Sequence, residues 1–532
     1  MALNEILKNK NLKIAWDEEV NGFVVVGVKN KNVEEVIIPD GIVKIDHCAF
    51  DECKKLESVT MPDSLQVIDA HAFYECWELK KVIFSKKLKI IGEEAFASCK
   101  KLKHIVLPDG VKMIDTGAFV NCENLTSISL PDSIEWIQMG AFVNCKNLKN
   151  IIIPKNVEEV NKNVFENCEN LESITLQQNI QRIGKMAFFN CKKLKSITLP
   201  ESVEIIERSA FRDCENLEDV IMPKRMEAIG ENAFLNCKNL KSIEIPNGIK
   251  EINNNTFMSC ENLEKIVLPD SLKLIRKNAF RDCFRLKKLV IPKNVSEIED
   301  SAFQYCLDLE KIALPDDLMN IGKEVFANCK SLREIVLPRT LKTISSGIFS
   351  ACHELQEINI PEGVETIESF AFADCKNLSQ IILPNTLKSI FGLALWGCIN
   401  LQNITIPESV ETIWIAAFKE CINLQEITLP KNIKTISSFT FQECKKLKNI
   451  NIPFGLKTIK NHAFSGCVSL RKIALPNSLK KISLNAFDKC ENLKTITIFD
   501  ETKTIKDVVY EGNKTIKNLL SSASLLKTYD SK

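Results

Sequence analysis

A phenylalanine recurs every 23 residues through most of the chain, and this spacing constrains the fold more than any other feature of the sequence. The column runs from Phe50 to Phe487, and only Leu395 interrupts it. A fixed period of about 20–50 residues indicates a solenoid, in which each repeat buries its apolar face only against its neighbours. The length of 532 residues then reflects the number of stacked rungs and not the number of domains. We therefore expect one elongated repeat domain instead of several globular ones.

Nearly every repeat begins with proline, counted here as position 1, and all eighteen prolines stand in this column, in which Ser85 and Gln177 are the only substitutions within the array. Apolar residues recur at positions 4, 7, 11, 12, 15, 18, 21 and 23. Positions 18–23 end in the alternation of a half-buried strand, which predicts that 21 and 23 point inward and 20 and 22 outward. Proline lacks an N–H and ends this strand. Positions 11, 12 and 15 have the spacing of one face of a short helical turn, so each rung is predicted to contain a strand, a turn, a short extended piece and a helical turn.

The resulting pattern, L-x-x-I-x-L-P-x-x-L-x-x-I-x-x-x-A-F-x-x-C, resembles the BspA-type leucine-rich repeat. Twenty copies occupy residues 36–499, between an N-terminal cap at 1–35 and a C-terminal cap and tail at 500–532. The resemblance implies an α/β repeat solenoid, with a parallel sheet on one face and short helical turns. It also implies a surface that binds proteins and, in many members of the family, mediates adhesion at a cell surface.

Twenty of the 21 cysteines occupy position 15, and Cys48 is the exception. A column of identical small residues is typical of a packed interior, where free cysteine behaves as a small hydrophobe. The chain has no C-x-x-C pair, so metal binding and redox chemistry are the weaker alternatives. We expect reduced, buried thiols on the inner side of the helical turns.

Charge and hydropathy limit where the chain acts. The 70 basic and 69 acidic residues leave a net charge of +1, which gives no global field for binding nucleic acid or an anionic membrane. Residues 1–30 lack the apolar core of a signal peptide, and no apolar run reaches about 18 residues. These features predict no membrane span and a cytoplasmic location, with the cell surface or secretion by a non-classical route as the alternative.

The sequence carries no recognisable catalytic constellation. Its five histidines lie on different rungs, no rung has an insertion, and neither a phosphate-binding loop nor a nucleophile elbow is present. We therefore expect no enzyme activity, no cofactor and no metal. The predicted function is a protein-binding or adhesion scaffold whose protein partner is unidentified. The alternatives are an intracellular structural scaffold and an enzyme whose site forms only on oligomerisation.

Two outward columns of the strand are candidate binding surfaces. Position 22 is largely β-branched, which strand propensity explains as well as a lightly apolar docking face does. Position 20 carries Lys265, Lys288 and Lys311 on three successive rungs. Like charges in register repel, so these lysines are either contacts for an acidic partner or part of an ordinary solvated surface.

A third candidate surface is apolar at positions where most rungs are polar. Aromatic side chains on adjacent rungs are frequent anchors of interfaces, so this group is predicted to bind a protein partner or a second copy of the chain. The alternative is that the irregular rung of Leu395 is repacked and draws these side chains inward. The group consists of Phe370, Phe391, Leu393, Trp396, Trp414, Ile415 and Phe439.

Overall fold

The computed structural model describes residues 11–500, 504–512 and 514–515. The chain divides into two compact units, Met1–Ser271 and Leu272–Lys532. Each unit is a β-solenoid of stacked 23-residue rungs that carries two ladders of short parallel strands. Positions 20–22 form the first ladder, and positions 6 and 7 form the second. The prediction of a single elongated domain stays a prediction.

In the first unit, each strand pairs in parallel with the strand 23 residues away, as in the register of Ser196 with Asp219. The strands of its first ladder are Glu35–Ile37, Ser58–Thr60, Lys81–Ile83, His104–Val106, Ser127–Ser129, Asn150–Ile152, Ser173–Thr175, Ser196–Thr198, Asp219–Ile221, Ser242–Glu244 and Lys265–Val267. Those of its second ladder are Ile42–Ile45, Val67–Ile68, Ile90–Ile91, Met113–Ile114, Trp136–Ile137, Glu159–Val160, Arg182–Ile183, Ile205–Ile206, Ala228–Ile229 and Glu251–Ile252.

The second unit repeats this arrangement with one interruption, because Glu334 forms only an isolated parallel bridge with Lys311 where a strand of the first ladder would lie. The strands of its first ladder are Lys288–Val290, Lys311–Ala313, Glu357–Asn359, Gln380–Ile382, Asn403–Thr405, Glu426–Thr428, Asn449–Asn451, Lys472–Pro476 and Thr495–Phe499. Those of its second ladder are Leu274–Ile275, Glu297–Ile298, Asn320–Ile321, Thr343–Ile344, Thr366–Ile367, Ser389–Ile390, Thr412–Ile413, Thr435–Ile436, Thr458–Ile459 and Lys481–Ile482.

Antiparallel strands cover an end of each unit. Leu12–Asp17 pairs antiparallel with Gly22–Val28, which in turn pairs in parallel with Ile42–Ile45. At the other end of the chain, Thr504–Val509 pairs antiparallel with Thr495–Phe499. Pairing of this kind occupies backbone groups that the terminal strand of a sheet would otherwise expose.

The apolar columns of the sequence form the core. In the rung that begins at Pro200, the side chains of Val203, Phe211 and Cys214 are buried, while Asp219 and Ile221 face solvent on either side of the inward Val220. The Phe211 ring lies between those of Phe188 and Phe234, nearly parallel to both, with centroids 5.2 Å and 5.3 Å away. The core is therefore a set of side-chain stacks that run from rung to rung.

The predicted helical turns are absent, and this part of the sequence interpretation was wrong. Between residues 11 and 500 the structure contains no helix. Positions 10 and 14 instead adopt the left-handed backbone conformation in nearly every rung, as Ser209 (φ 58°) and Asp213 (φ 62°) show. Two left-handed residues that are separated by only four positions are incompatible with a right-handed helix. The segment from position 8 to position 15 is therefore an arc of tight turns.

The hydrogen bonds of this arc explain why it replaces a helix. The N–H groups of Ser209, Phe211 and Asp213 donate to carbonyls of the next rung at 2.8–2.9 Å. The N–H groups between them turn back to the carbonyl three residues earlier, as from Arg212 to Ser209 at 3.2 Å. A helix would direct all its amides along its own axis and leave none for the neighbouring rung. The arc thus binds neighbouring rungs to each other through hydrogen bonds additional to those of the two ladders.

Position 14 shows how the sequence accommodates this geometry. Asparagine occupies it in Asn121, Asn144, Asn167 and Asn190, where the side-chain Nδ2 of each donates to the Oδ1 of the preceding one at 2.8–2.9 Å. Asparagine tolerates the left-handed region better than most residues. The same column thus supplies both the backbone conformation and an amide ladder between rungs.

A substitution at position 14 tests the left-handed assignment. Ala351 has φ of 58°, so replacing it with glycine removes a strain of about 1–2 kcal/mol. Glycine loses roughly 0.5–1 kcal/mol through its greater freedom when unfolded, so Ala351→Gly is expected to stabilise the fold by about 0.5–1 kcal/mol. Chemical denaturation measures the difference. The matched control is Ala327→Gly at position 13, outside the left-handed region, which should destabilise; stabilisation by the control alone would contradict the assignment.

Candidate functional site

The cysteine column forms part of the core and offers no reactive site. All twenty position-15 thiols are free and buried, whereas Cys48 is exposed. Thiols of this column donate to the phenylalanine or Leu395 carbonyl of the preceding rung, as Cys214 does to Phe188 at 3.1 Å. Burial raises the pKa of the Cys122 thiol to about 12. These thiols therefore stay protonated at neutral pH.

The described residues contain no group of three or more histidine, cysteine, aspartate or glutamate side chains that could hold a metal ion. His353 lies with Nε2 3.2 Å from Asp374 Oδ2, and Asn485 Nδ2 donates a hydrogen bond to His462 Nε2 at 2.9 Å. In the part of the chain that the structure describes, no helix is long and apolar enough to cross a bilayer.

The outward face of the first ladder in the second unit combines apolar and charged side chains. Val290, Val336 and Ile382 are 71%, 82% and 51% exposed. A groove of about 430 Å³ runs over this face from Lys311 to Ile382, across the place where Glu334 interrupts the ladder. The position-22 column is thus a solvent-facing strip with a depression in it.

Lysines and acids share the neighbouring position-20 column. Lys288 and Lys311 lie in register on adjacent strands. Lys311 Nζ is 2.5 Å from Glu334 Oε1, and this hydrogen bond holds the pKa of Glu334 below its ordinary value. Lys265 belongs to the first unit, where its partner in register is Ser242. Within the second unit, Lys288 and Lys311 therefore lie side by side, with an acid beside Lys311.

The seven apolar residues singled out in the sequence, called here the aromatic patch, all lie on the four rungs that begin at Pro361, Pro384, Pro407 and Pro430. The rings of Phe391 and Trp414 stack with centroids 5.4 Å apart and planes inclined by 13°. Phe370, Trp414 and Ile415 are exposed. The four others, Phe391, Leu393, Trp396 and Phe439, are half-buried.

Two features beside the aromatic patch were missed in the sequence. Phe439 stacks on His462 of the next rung, with ring centroids 5.3 Å apart. Position 6 carries a hydroxyl side chain on six successive rungs, a signal readable from the repeat alignment, in Thr343, Thr366, Ser389, Thr412, Thr435 and Thr458. The aromatic patch is therefore bordered by a polar but uncharged strip.

Comparison with known proteins identifies the repeat. A family model described as a BspA type leucine-rich repeat region matches residues 28–145, 112–240, 185–310, 296–421 and 413–530. A search of curated proteins finds no match.

Solved bacterial structures show similar repeats. A leucine-rich repeat protein from Bacteroides ovatus is 25% identical, with a TM-score of 0.55 over 83% of this chain and 98% of that one. A leucine rich cell surface protein from Faecalibacterium prausnitzii is 22% identical over 93% and 95% of the two chains, with a TM-score of 0.29. A leucine-rich repeat protein from T. pallidum is 22% identical over 44% and 89%, with a TM-score of 0.27. Of these three, the B. ovatus protein supports the repeat fold.

Proposed function

Because this chain belongs to the BspA-type leucine-rich repeat family, we propose that it is a non-catalytic scaffold that binds a protein partner on the outward face of its first ladder. The observation that carries the proposal is the solvent-facing strip of the second unit, where Val290 and Val336 are more than two thirds exposed. Strand propensity alone favours β-branched residues here. It does not account for a groove lined by both apolar and charged side chains.

The groove suits a partner that combines apolar contacts with charge. Ile335 and Ile358 form its floor, while Val336 and Ile382 stand at its surface. Burying such side chains gives about 25 cal/mol per Å² of apolar area. Lys311 lines the groove together with Glu334 and Glu357, and Lys288 and Arg333 line a second depression that also includes Lys311. Charges at the rim of an interface chiefly select partners and accelerate their encounter.

Charge reversal at the lysine column tests this proposal. If the partner is acidic, changing Lys265, Lys288 and Lys311 together to glutamate is expected to slow association at least about tenfold at low salt. The measurement is association kinetics with a protein captured from native cells and then purified, at low and at raised ionic strength.

The matched control for this prediction makes the same change in net charge at a different place on the protein. Lys86, Lys87 and Lys89 are exposed on one rung of the first unit, and their change to glutamate should leave association unaffected. Binding that ignores both salt and the position-20 change would leave the lysine column as ordinary solvated surface. Equal losses in both variants would show a response to net charge alone.

The adhesion part of the proposal requires the protein to be outside the cell, whereas the alternative of an internal structural scaffold requires it to remain inside. Fractionation of native cells followed by protease treatment of intact cells separates these two. Cleavage on intact cells supports adhesion. Full protection with recovery in the cytosolic fraction supports the internal scaffold.

A further inference from the structure

The aromatic patch keeps bulky apolar residues where the backbone makes them costly. Phe370, Leu393 and Phe439 stand at position 10 with φ of 59–60°. Other rungs often use glycine or asparagine at this position, as in Gly117 and Asn232. A bulky residue in the left-handed region is a strained outlier, and such strain clusters at functional sites. Because Phe370 is exposed, core packing does not compensate the backbone strain at this residue.

The patch is also nearly symmetric about its middle, between the rungs that begin at Pro384 and Pro407. The two inner rungs carry aromatic residues at position 8, Phe391 and Trp414. The two outer rungs carry phenylalanine at position 10, Phe370 and Phe439. Reversing the order of the four rungs therefore places aromatic against aromatic at each of these positions.

The charged residues at the edge of the patch are arranged about the same middle. Residues at equal distances on either side of it carry opposite charges. Position 5 of the four rungs reads Glu365, Lys388, Glu411 and Lys434. Reversed, this series sets each acid opposite a base, with Lys388 facing Glu411 and Glu365 facing Lys434. Of these four described residues, Lys388 and Glu365 form an ion pair within one chain, with Nζ 2.7 Å from Oε2.

We propose that this surface binds a second copy of the same chain, through an antiparallel two-fold interface whose axis passes between the stacked rings of Phe391 and Trp414. A two-fold axis parallel to the strands reverses the rung order and preserves the position within a rung. It therefore matches the two observed patterns at once, as an isologous interface requires. Binding to a different protein would not require this surface to be complementary to a second copy of itself.

The size of the matching region sets the strength of the dimer. Four rungs span about 15 Å at a strand spacing of about 4.8 Å. One rung further out, Lys342 and Lys457 stand at position 5 and would face each other, so the favourable region ends there. An interface of this extent falls in the small, transient class. The dimer is therefore expected to form reversibly as the protein concentration rises.

A charge exchange tests the two-fold arrangement in the full-length chain. Lys388→Glu places like charges against Glu411 of the second copy and is expected to weaken dimerisation about tenfold or more. Glu411→Lys should do the same against Lys388. The double variant restores opposite charges across the axis and should recover dimerisation, although it worsens the contacts within each chain. Sedimentation equilibrium over two decades of concentration measures the dimer.

The matched control breaks an equivalent ion pair away from the patch. Lys112 and Glu135 stand at position 5 of the first unit, with Nζ 2.8 Å from Oε1. Lys112→Glu should leave dimerisation unchanged. A wild type that stays monomeric at every concentration, or a double variant as weak as the single ones, would overturn the proposal.

A second pair of variants separates lost association from lost folding. Phe370→Asn and Phe439→Asn put a tolerant residue in the left-handed position, so the melting temperature should not fall. Dimerisation should fall at least about tenfold, since each variant acts twice across the axis. Unchanged dimerisation would contradict the proposal. Because the ladder groove is not altered, partner binding there can fail or persist independently of this result.

Discussion

Replacing Phe211 by alanine is expected to lower the free energy of unfolding by about 3–5 kcal/mol, as large-to-small changes in a packed core do. The side chain is fully buried, and its ring lies between two others at 5.2 Å and 5.3 Å. Its loss removes contacts on both sides and leaves a cavity that the stack cannot close without moving the backbone. In a repeat array the stability is a sum over neighbours, so the two adjoining rungs should also open more readily. Denaturation and hydrogen exchange on these rungs measure both effects.

The chain supplies its own control for this variant. Leu395 occupies the same column and is fully buried, so Phe211→Leu should cost clearly less than Phe211→Ala. Phe370→Ala removes an exposed phenylalanine at position 10 and should leave the core intact. An unchanged denaturation curve for Phe211→Ala would show that the phenylalanine column does not hold the rungs together.

Alkaline pH is expected to unfold this protein far more sharply than an ordinary one of its size. Burial raises the pKa of Cys122 from its ordinary value of 9.0 to about 12, and it raises the pKa of the neighbouring position-15 thiols in the same direction. The unfolded chain therefore loses thiol protons first. Each thiol gives stability that is complete below about pH 9 and is lost above it at roughly 1.4 kcal/mol per pH unit, until the folded pKa is reached. Twenty buried thiols act together, so the melting temperature should fall steeply above pH 9.

Removing thiols should weaken this dependence. A variant with Cys168, Cys191, Cys214 and Cys237 changed to alanine loses packing at neutral pH, yet has four fewer groups to ionise. Its melting temperature should start below that of the wild type at pH 7 and approach it as the pH rises above 9. Parallel curves would show that lysine and tyrosine titration, and not the thiols, governs alkaline unfolding. At pH 7 a thiol reagent should label Cys48 first and the buried column only after unfolding.

The repeat pattern was sufficient to predict the first ladder and the core, because burial at Val203, Phe211, Cys214 and Val220 depends only on a fixed period and a stacked partner. The second ladder was predicted only as a short extended piece. The helical turn failed because Ala210, Phe211 and Cys214 have a spacing that suits both one face of a helix and the inner side of an arc of turns. The distinguishing signal lay in the residues between them. Asparagine, aspartate, serine and glycine are enriched at positions 10 and 14, which indicates left-handed residues.

The candidate surfaces, too, were predicted only in part from the sequence. Stacking of Phe391 on Trp414 follows from their equal position on adjacent rungs, so the sequence predicted that they lie side by side. The sequence predicted partial exposure but left inward repacking as an alternative, because exposure depends on how far position 8 projects from the arc. The sequence also contained the reversed charge order of Glu365, Lys388, Glu411 and Lys434. Its meaning appears only once these side chains are known to share an edge of one surface.

The alternate amides of the arc, which bond each rung to the next, also bear on how such a chain changes length over evolutionary time. Within each unit the junctions repeat one pattern, in which N–H donors at positions 10, 12 and 14 meet carbonyls at positions 9, 11 and 13, as between Ser209 and Glu231. Duplicating or deleting one block of 23 residues therefore recreates a junction identical to those already present, whereas an indel of any other size would misalign donors with acceptors in the rungs beside it. The gene for such a protein should gain and lose length in whole rungs, and the array can be extended without a new core being invented.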